Sequence, residues 1–141
     1  MIIMAVDAGK ARTGIATGDS ANGFAFPKGV ITEYHTDRLI EKLCKTATDC
    51  KAERIVVGLP RNMDGSEGFR AEECTALAKA LEEASGIETV LWDERCTTVA
   101  AYTALDAAGT YGKKRKTVID AVAATLILES YFAYLKNQEK Q

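Results

Sequence analysis

The change of hydrophobic period near residue 35 constrains the fold more than any other feature of the chain. Before it, three short segments read as strands. Ile2 to Val6 is continuously apolar, as in a strand covered on both faces. Gly9 and Gly14 bracket a tight connection to a second strand, Thr13 to Thr17, and a third lies within Phe24 to Thr32, where Pro27 marks an edge or a bulge. Short glycine-containing turns between them suggest an antiparallel meander. After residue 35 apolar residues recur at helical spacing. Thr36 is placed to cap a helix carrying Leu39, Ile40, Leu43 and Ala47. Arg54 to Leu59 is a buried strand halted by Pro60. Ser66 is placed to cap a helix with Phe69, Leu77, Ala78 and Leu81 inward and Glu72, Glu73, Glu82 and Glu83 outward. Glu88 to Asp93 is a further strand, a helix starts at Thr97 or Thr98, and a last one runs from Thr117 to about Leu135. The expected architecture is α/β: three antiparallel strands plus two more in one mixed sheet, flanked by helices.

No repeat or linker divides the 141 residues, so one domain is expected over 1–141. The net charge of -2 neither supports nor excludes a nucleic-acid partner, because a local basic patch can supply phosphate contacts. Cys44, Cys50, Cys74 and Cys96 lack C-x-x-C spacing and His35 is the only histidine, which argues against zinc and for reduced thiols. The start of the chain lacks a basic n-region, and the longest apolar run, Ala121 to Leu128, is too short to span a bilayer. A cytoplasmic protein without a membrane partner is expected.

In an α/β sheet the strand ends are the usual place for a site. Asp7 ends the first strand and Asp93-Glu94 end the last. A strand-end aspartate more often starts a turn by bonding its own backbone. Asp120 is more informative, because it shares a helical stripe with Ala123, Ala124, Ile127 and Tyr131, off which Glu129 and Lys136 lie. That stripe should pack on the sheet. Thr117-x-x-Asp120 also resembles a capping box, so a purely structural role competes evenly. Together the acids are more telling than singly: converging carboxylates resist ionisation unless a cation neutralises them, and hard oxygen ligands suit Mg²⁺ or Mn²⁺. Two such ions at roughly 3.5–4 Å support in-line phosphodiester displacement. The run Lys113-Lys114-Arg115-Lys116, which precedes Asp120, reads as a phosphate contact or as a solvated loop. Arg12 and Arg95 are placed to clamp phosphate oxygens or to neutralise the acids. Gly58 to Ser66, with Arg61, reads as a polar loop that leads into a helix N-terminus, or as a plain turn.

These residues fall in an order that resembles the YqgF/RuvX family of ribonuclease H-like nucleases over essentially the whole chain. Asp7-Ala8-Gly9-Lys10-Ala11-Arg12-Thr13-Gly14 is similar to the family's D-x-G-x-x-R-x-G, and Val57 to Gly68 resembles its central loop. Asp93-Glu94-Arg95-Cys96-Thr97-Thr98 matches D-E-R-x-T-T, and Asp120 with Ala123-Ala124 and Ile127-Leu128 looks like the closing D-x-x-A-A-x-x-I-L. The resemblance implies a ribonuclease H-like fold with a five-stranded mixed sheet and metal-dependent nuclease activity. It implies processing of the 5′ end of pre-16S rRNA on structured RNA, with pre-ribosomal particles as partners, or resolution of branched DNA at Holliday junctions. Asp7 and Asp120 would be metal ligands, with an acid of the D-E-R triplet as the third; alternation sends Asp93 and Glu94 to opposite faces without settling which, and Glu94 is preferred, with Asp93 as the alternative or a supporting acid. Arg12, Arg61, Arg95, Lys113 and Lys116 would contact the nucleic acid. Arg61 and Glu129 depart from the family's usual apolar residue and amide. A non-catalytic RNA-binding assembly factor and an actin-like phosphotransferase are the competing classes, and one domain is too few for the latter. A dimer would suit two-fold branched DNA, and a monomer RNA trimming.

Overall fold

The computed structural model describes residues 1–9, 11–59, 69–93 and 112–139; the side chains of 69–70, 112–120 and 139 lie outside that description. β1 (Ile2–Ala8), β2 (Arg12–Asp19) and β3 (Phe24–Thr32) are followed by α1 (Thr36–Asp49), β4 (Arg54–Leu59), α2 (Phe69–Ser85), β5 (Glu88–Asp93) and α3 (Gly112–Glu139). The strands form one mixed sheet in the order β3-β2-β1-β4-β5. β1, β2 and β3 pair antiparallel, whereas β4 lies parallel to β1 and β5 parallel to β4.

β1 is central, and this explains its unbroken apolar run. Ile3 and Ala5 pack on one face with Val56, Ala124, Ile127 and Leu128 from β4 and α3. Met4 and Val6 pack on the other with Leu39, Leu43, Val57, Leu77 and Leu81, beneath α1 and α2. Two apolar layers of this kind contribute most of the stability, at roughly 25 cal/mol for each Å² of apolar surface removed from water.

Pro27 proves to stand both on an edge strand and at a bulge. Ile15 pairs with Gly29 and Ala16 with Pro27, so Lys28 is the extra residue on β3. At Gly18 the backbone of β3 and the ring of Phe132 from α3 approach so closely that a Cβ would collide with the Phe24 carbonyl oxygen. Small size, not turn geometry, is what that position requires.

Two helix starts differ from expectation. Thr36 is the first residue inside α1; His35, with extended backbone, occupies the cap and makes no side-chain cap bond. α3 begins at Gly112, five residues before Thr117. The run Lys113-Lys114-Arg115-Lys116 therefore lies in the first turns of the helix and not in a loop, and Thr117 cannot be its cap. Lys and Arg are good helix formers, which lets the helix extend back through them. The helix expected at Thr97 or Thr98, and the Ser66 cap, fall outside the described residues. Within α2, Leu77, Ala78 and Leu81 are buried and Glu72, Glu73, Glu82 and Glu83 exposed, as their spacing predicts. Among the described residues no helix is long and apolar enough to cross a membrane.

Candidate active site

The parallel strands β1, β4 and β5 end at the same edge of the sheet, and Asp7 and Asp93 are both there. Val6 is level with Val57 and Val57 with Leu91, while Leu59 is level with Asp93. Asp7 lies one residue beyond Val6, and Asp93 two beyond Leu91. Strand alternation separates the two acids. Asp7 continues the series Ile3, Ala5 on the α3 side of the sheet, whereas Asp93 follows Leu91 on the side of α1 and α2. The structure thus does not bring Asp93 onto the face of Asp7.

Asp7 is partly buried, and no hydrogen bond or ion pair from a described residue reaches its carboxylate. Carboxylate oxygens at a strand end are hard donors of the kind a divalent cation takes. Two residues on, the turn closes through a hydrogen bond from the Gly9 N–H to the Arg12 carbonyl at 2.9 Å. A Cβ at Gly9 would collide with that same carbonyl oxygen. Glycine is needed there for close backbone approach, which gives the D-x-G spacing a physical reason. Asp7 is level with Gly14, so Arg12, two residues earlier on β2, alternates onto the same face as Asp7.

The direction of α3 carries Asp120 toward this end. Residues near its C-terminus, Phe132, Lys136 and Gln138, surround a cavity with Met1 and the β2–β3 turn, at the opposite edge of the sheet. Phe132 contacts Gly18, which is level with Ile3. From Phe132 back to Asp120 the helix covers about 18 Å, and from Ile3 forward to Asp7 the strand covers about 13 Å. The two paths run the same way and match in length to within about one helical turn. The stripe that carries Asp120 packs on the sheet as expected, with Ala124, Ile127 and Tyr131 buried and Glu129 and Lys136 exposed.

Glu94, Arg61 and Arg95 lie outside the described residues, as do the side chains of Asp120, Lys113 and Lys116. Among the described residues no group of three or more His, Cys, Asp or Glu side chains could hold a metal ion. Cys44 and Cys50 are free thiols, and burial pushes the Cys44 thiol up from its ordinary pKa. A cavity of about 480 Å³ opens between α1 and α2, lined by Ala8, Glu33, Leu39, Glu73 and Leu77 among others, and does not include Asp7. Sequence reasoning missed Trp92 at the end of β5, with Ser130 and Tyr134 on α3. A tryptophan next to the acidic triplet was the available signal.

A five-stranded mixed sheet with an acid at the end of its central strand, and a long helix across one face, is the ribonuclease H-like architecture of the RuvC-type resolvases. Thermus thermophilus RuvC, solved in complex with a Holliday junction substrate, has the same fold with a TM-score of 0.63 at 13% identity, covering 97% of this chain and 96% of its own. Fowlpox virus resolvase, solved with Holliday junction DNA, matches with a TM-score of 0.58 at 14% identity over 96% of this chain and 99% of its own. The family model RuvX, described as Holliday junction resolvase, matches residues 1–134, and the chain belongs to that family. Relatives named "Putative pre-16S rRNA nuclease" include one from Clostridium botulinum, 39% identical over 93% of this chain and 96% of its own, and one from Desulfitobacterium hafniense, 36% identical over 100% and 98%.

Proposed function

We propose that the chain is a metal-dependent nuclease that hydrolyses nucleic-acid phosphodiesters and processes the 5′ end of pre-16S rRNA in the cytoplasm, on pre-ribosomal particles. One observation supports the reading above the others: the partly buried carboxylate of Asp7 at the end of the central strand, which has no partner among the described residues. A hard oxygen donor in that state suits a divalent cation. Asp7, Glu94 and Asp120 would hold Mg²⁺ or Mn²⁺, in a pair of sites. The position of Asp93 on the far face of the sheet favours Glu94 as the third ligand and leaves Asp93 a supporting acid. When bound, such ions supply Lewis acidity and an activated water for in-line displacement.

The chain's own residues do the rest. Arg12, on the face of Asp7, is placed to bind a phosphate oxygen and offset negative charge beside the acids. Lys113 and Lys116, in the first turns of α3, hold the backbone of the nucleic acid, with Arg61 and Arg95 as further contacts. The names of the relatives favour RNA as substrate. The family description favours a second reading, resolution of branched DNA.

The test is cleavage of a 5′-extended 16S precursor and of a four-way DNA junction, each with Mg²⁺ and with Mn²⁺. Asp7→Asn should remove on the order of 10²-fold or more of the rate while the far-UV spectrum is unchanged. Folded wild type that cuts neither substrate with either metal would leave a non-catalytic RNA-binding role as the better account.

A further inference from the structure

Trp92 is the chain's single tryptophan and the next-to-last residue of β5. It is level with Gly58 of β4, on the α3 side of the sheet, and packs against the core beneath that helix. Its indole N–H donates to the Ser130 hydroxyl at 3.2 Å. The ring stands edge-on to Tyr131, with centroids 5.4 Å apart at 84°, and tilts against Tyr134 at 5.3 Å. Tyr131 in turn accepts a hydrogen bond from Arg54 of β4 at 2.9 Å. The backbones of α3 and β5 approach each other little, so these side chains make the connection between them.

That connection joins α3, which carries Asp120, to the strand that leads in sequence into Glu94. Among the described residues β5 is an edge strand, paired within the sheet only with β4. Its next residue is Asp93, and Glu94 follows in the chain. α3 carries Asp120 ten residues before Ser130. Metal–ligand distances tolerate about 0.2 Å, so the end of β5, from which the chain runs on to Glu94, and α3 must keep a fixed separation for Glu94 and Asp120 to share an ion. An aromatic side chain with its polar atom satisfied and two rings against it is a stiff spacer.

We infer that Trp92 is a positioning residue, which sets the end of β5 against α3 through Ser130 and Tyr131 so that the acids can share cations. This rests on the nuclease reading.

The test compares wild type with Trp92→Leu, Trp92→Phe, Ser130→Ala and Asp7→Asn. Mg²⁺ affinity is read by calorimetry, and single-tryptophan emission is followed where the indole is retained. Wild-type emission should shift on Mg²⁺ addition and that of Asp7→Asn should not. Trp92→Leu should weaken Mg²⁺ binding about 10-fold and lower kcat by a similar factor, as removal of a group that supports a metal ligand does, with KM for RNA little changed. Trp92→Phe keeps ring packing and should recover most of both. Ser130→Ala should weaken Mg²⁺ binding about threefold, somewhat less than removal of the whole supporting ring. A folded Trp92→Leu protein with wild-type Mg²⁺ affinity and kcat would overturn the inference and leave the nuclease reading intact. If Trp92→Leu does not fold, Ser130→Ala with unaltered affinity overturns it. Wild type that binds no Mg²⁺ and cuts no RNA overturns both.

Discussion

At the scale of single residues the two sides of the first motif separate cleanly. Asp7 and Arg12 alternate onto the α3 face, whereas Thr13, level with Ala8 and Ile31, points to the other. The Thr13 side chain is buried, and its hydroxyl has no hydrogen-bond partner among the described residues. An unsatisfied buried hydroxyl costs about 1–3 kcal/mol, and valine has nearly the same shape with a strong preference for strands. Thr13→Val should therefore raise stability by about 1 kcal/mol in urea denaturation, with cleavage unchanged, because the substituted side chain faces away from Asp7. A drop in stability would show that the hydroxyl is satisfied in solution. The place of Asp7 at the end of a strand was legible from a carboxylate that closes an apolar run. The face of Asp93 was not, because alternation fixes relative faces only, and the register with β4 was needed to anchor them.

Among elements, the sheet was legible where burial differs between strands. An uninterrupted apolar β1 called for cover on both faces, which its central place provides, and Pro27 for an edge or a bulge, both of which it has. The start of α3 was not legible, since Thr117 and Asp120 imitate a cap inside a helix already under way. The start of α1 shows how the chain manages without a side-chain cap. Glu33, just past the end of β3, accepts a hydrogen bond from the His35 N–H at 3.2 Å and pairs with Lys42 of α1 at 2.9 Å. The Glu33 side chain is only 10% exposed. The Lys42 hydrogen bond, followed by that of the His35 backbone, holds the Glu33 carboxyl below the usual glutamate range. A depressed pKa adds stability above the ordinary glutamate value, near 4.3, and that stability disappears as pH falls through the lowered one. Glu33→Gln should thus melt below wild type at pH 7, and the gap should close in thermal scans taken at about pH 3. A gap of equal size at both values would show that shape, and not charge, holds the turn.

For the molecule as a whole, a net charge of -2 means that any attraction for nucleic acid must come from where the cations sit. Four consecutive basic residues, Lys113 to Lys116, occupy the first turns of α3, and no acid stands in its first turn. Cations there oppose the helix dipole, at a typical cost of about 0.3–1 kcal/mol each, so this arrangement works against the folded chain alone. A polyanion bound alongside would reverse the sign of that cost. Changing all four to glutamine should therefore shift two measurements in opposite directions. Thermal stability without RNA should hold or rise. Affinity for RNA should fall, and the slope of log K against log salt should flatten by about one for each phosphate no longer neutralised. Mg²⁺ affinity should stay at its wild-type value, because the assigned ligands are untouched. An unchanged salt slope would mean that the run does not meet the phosphate backbone, and that the nucleic acid approaches the sheet from another side.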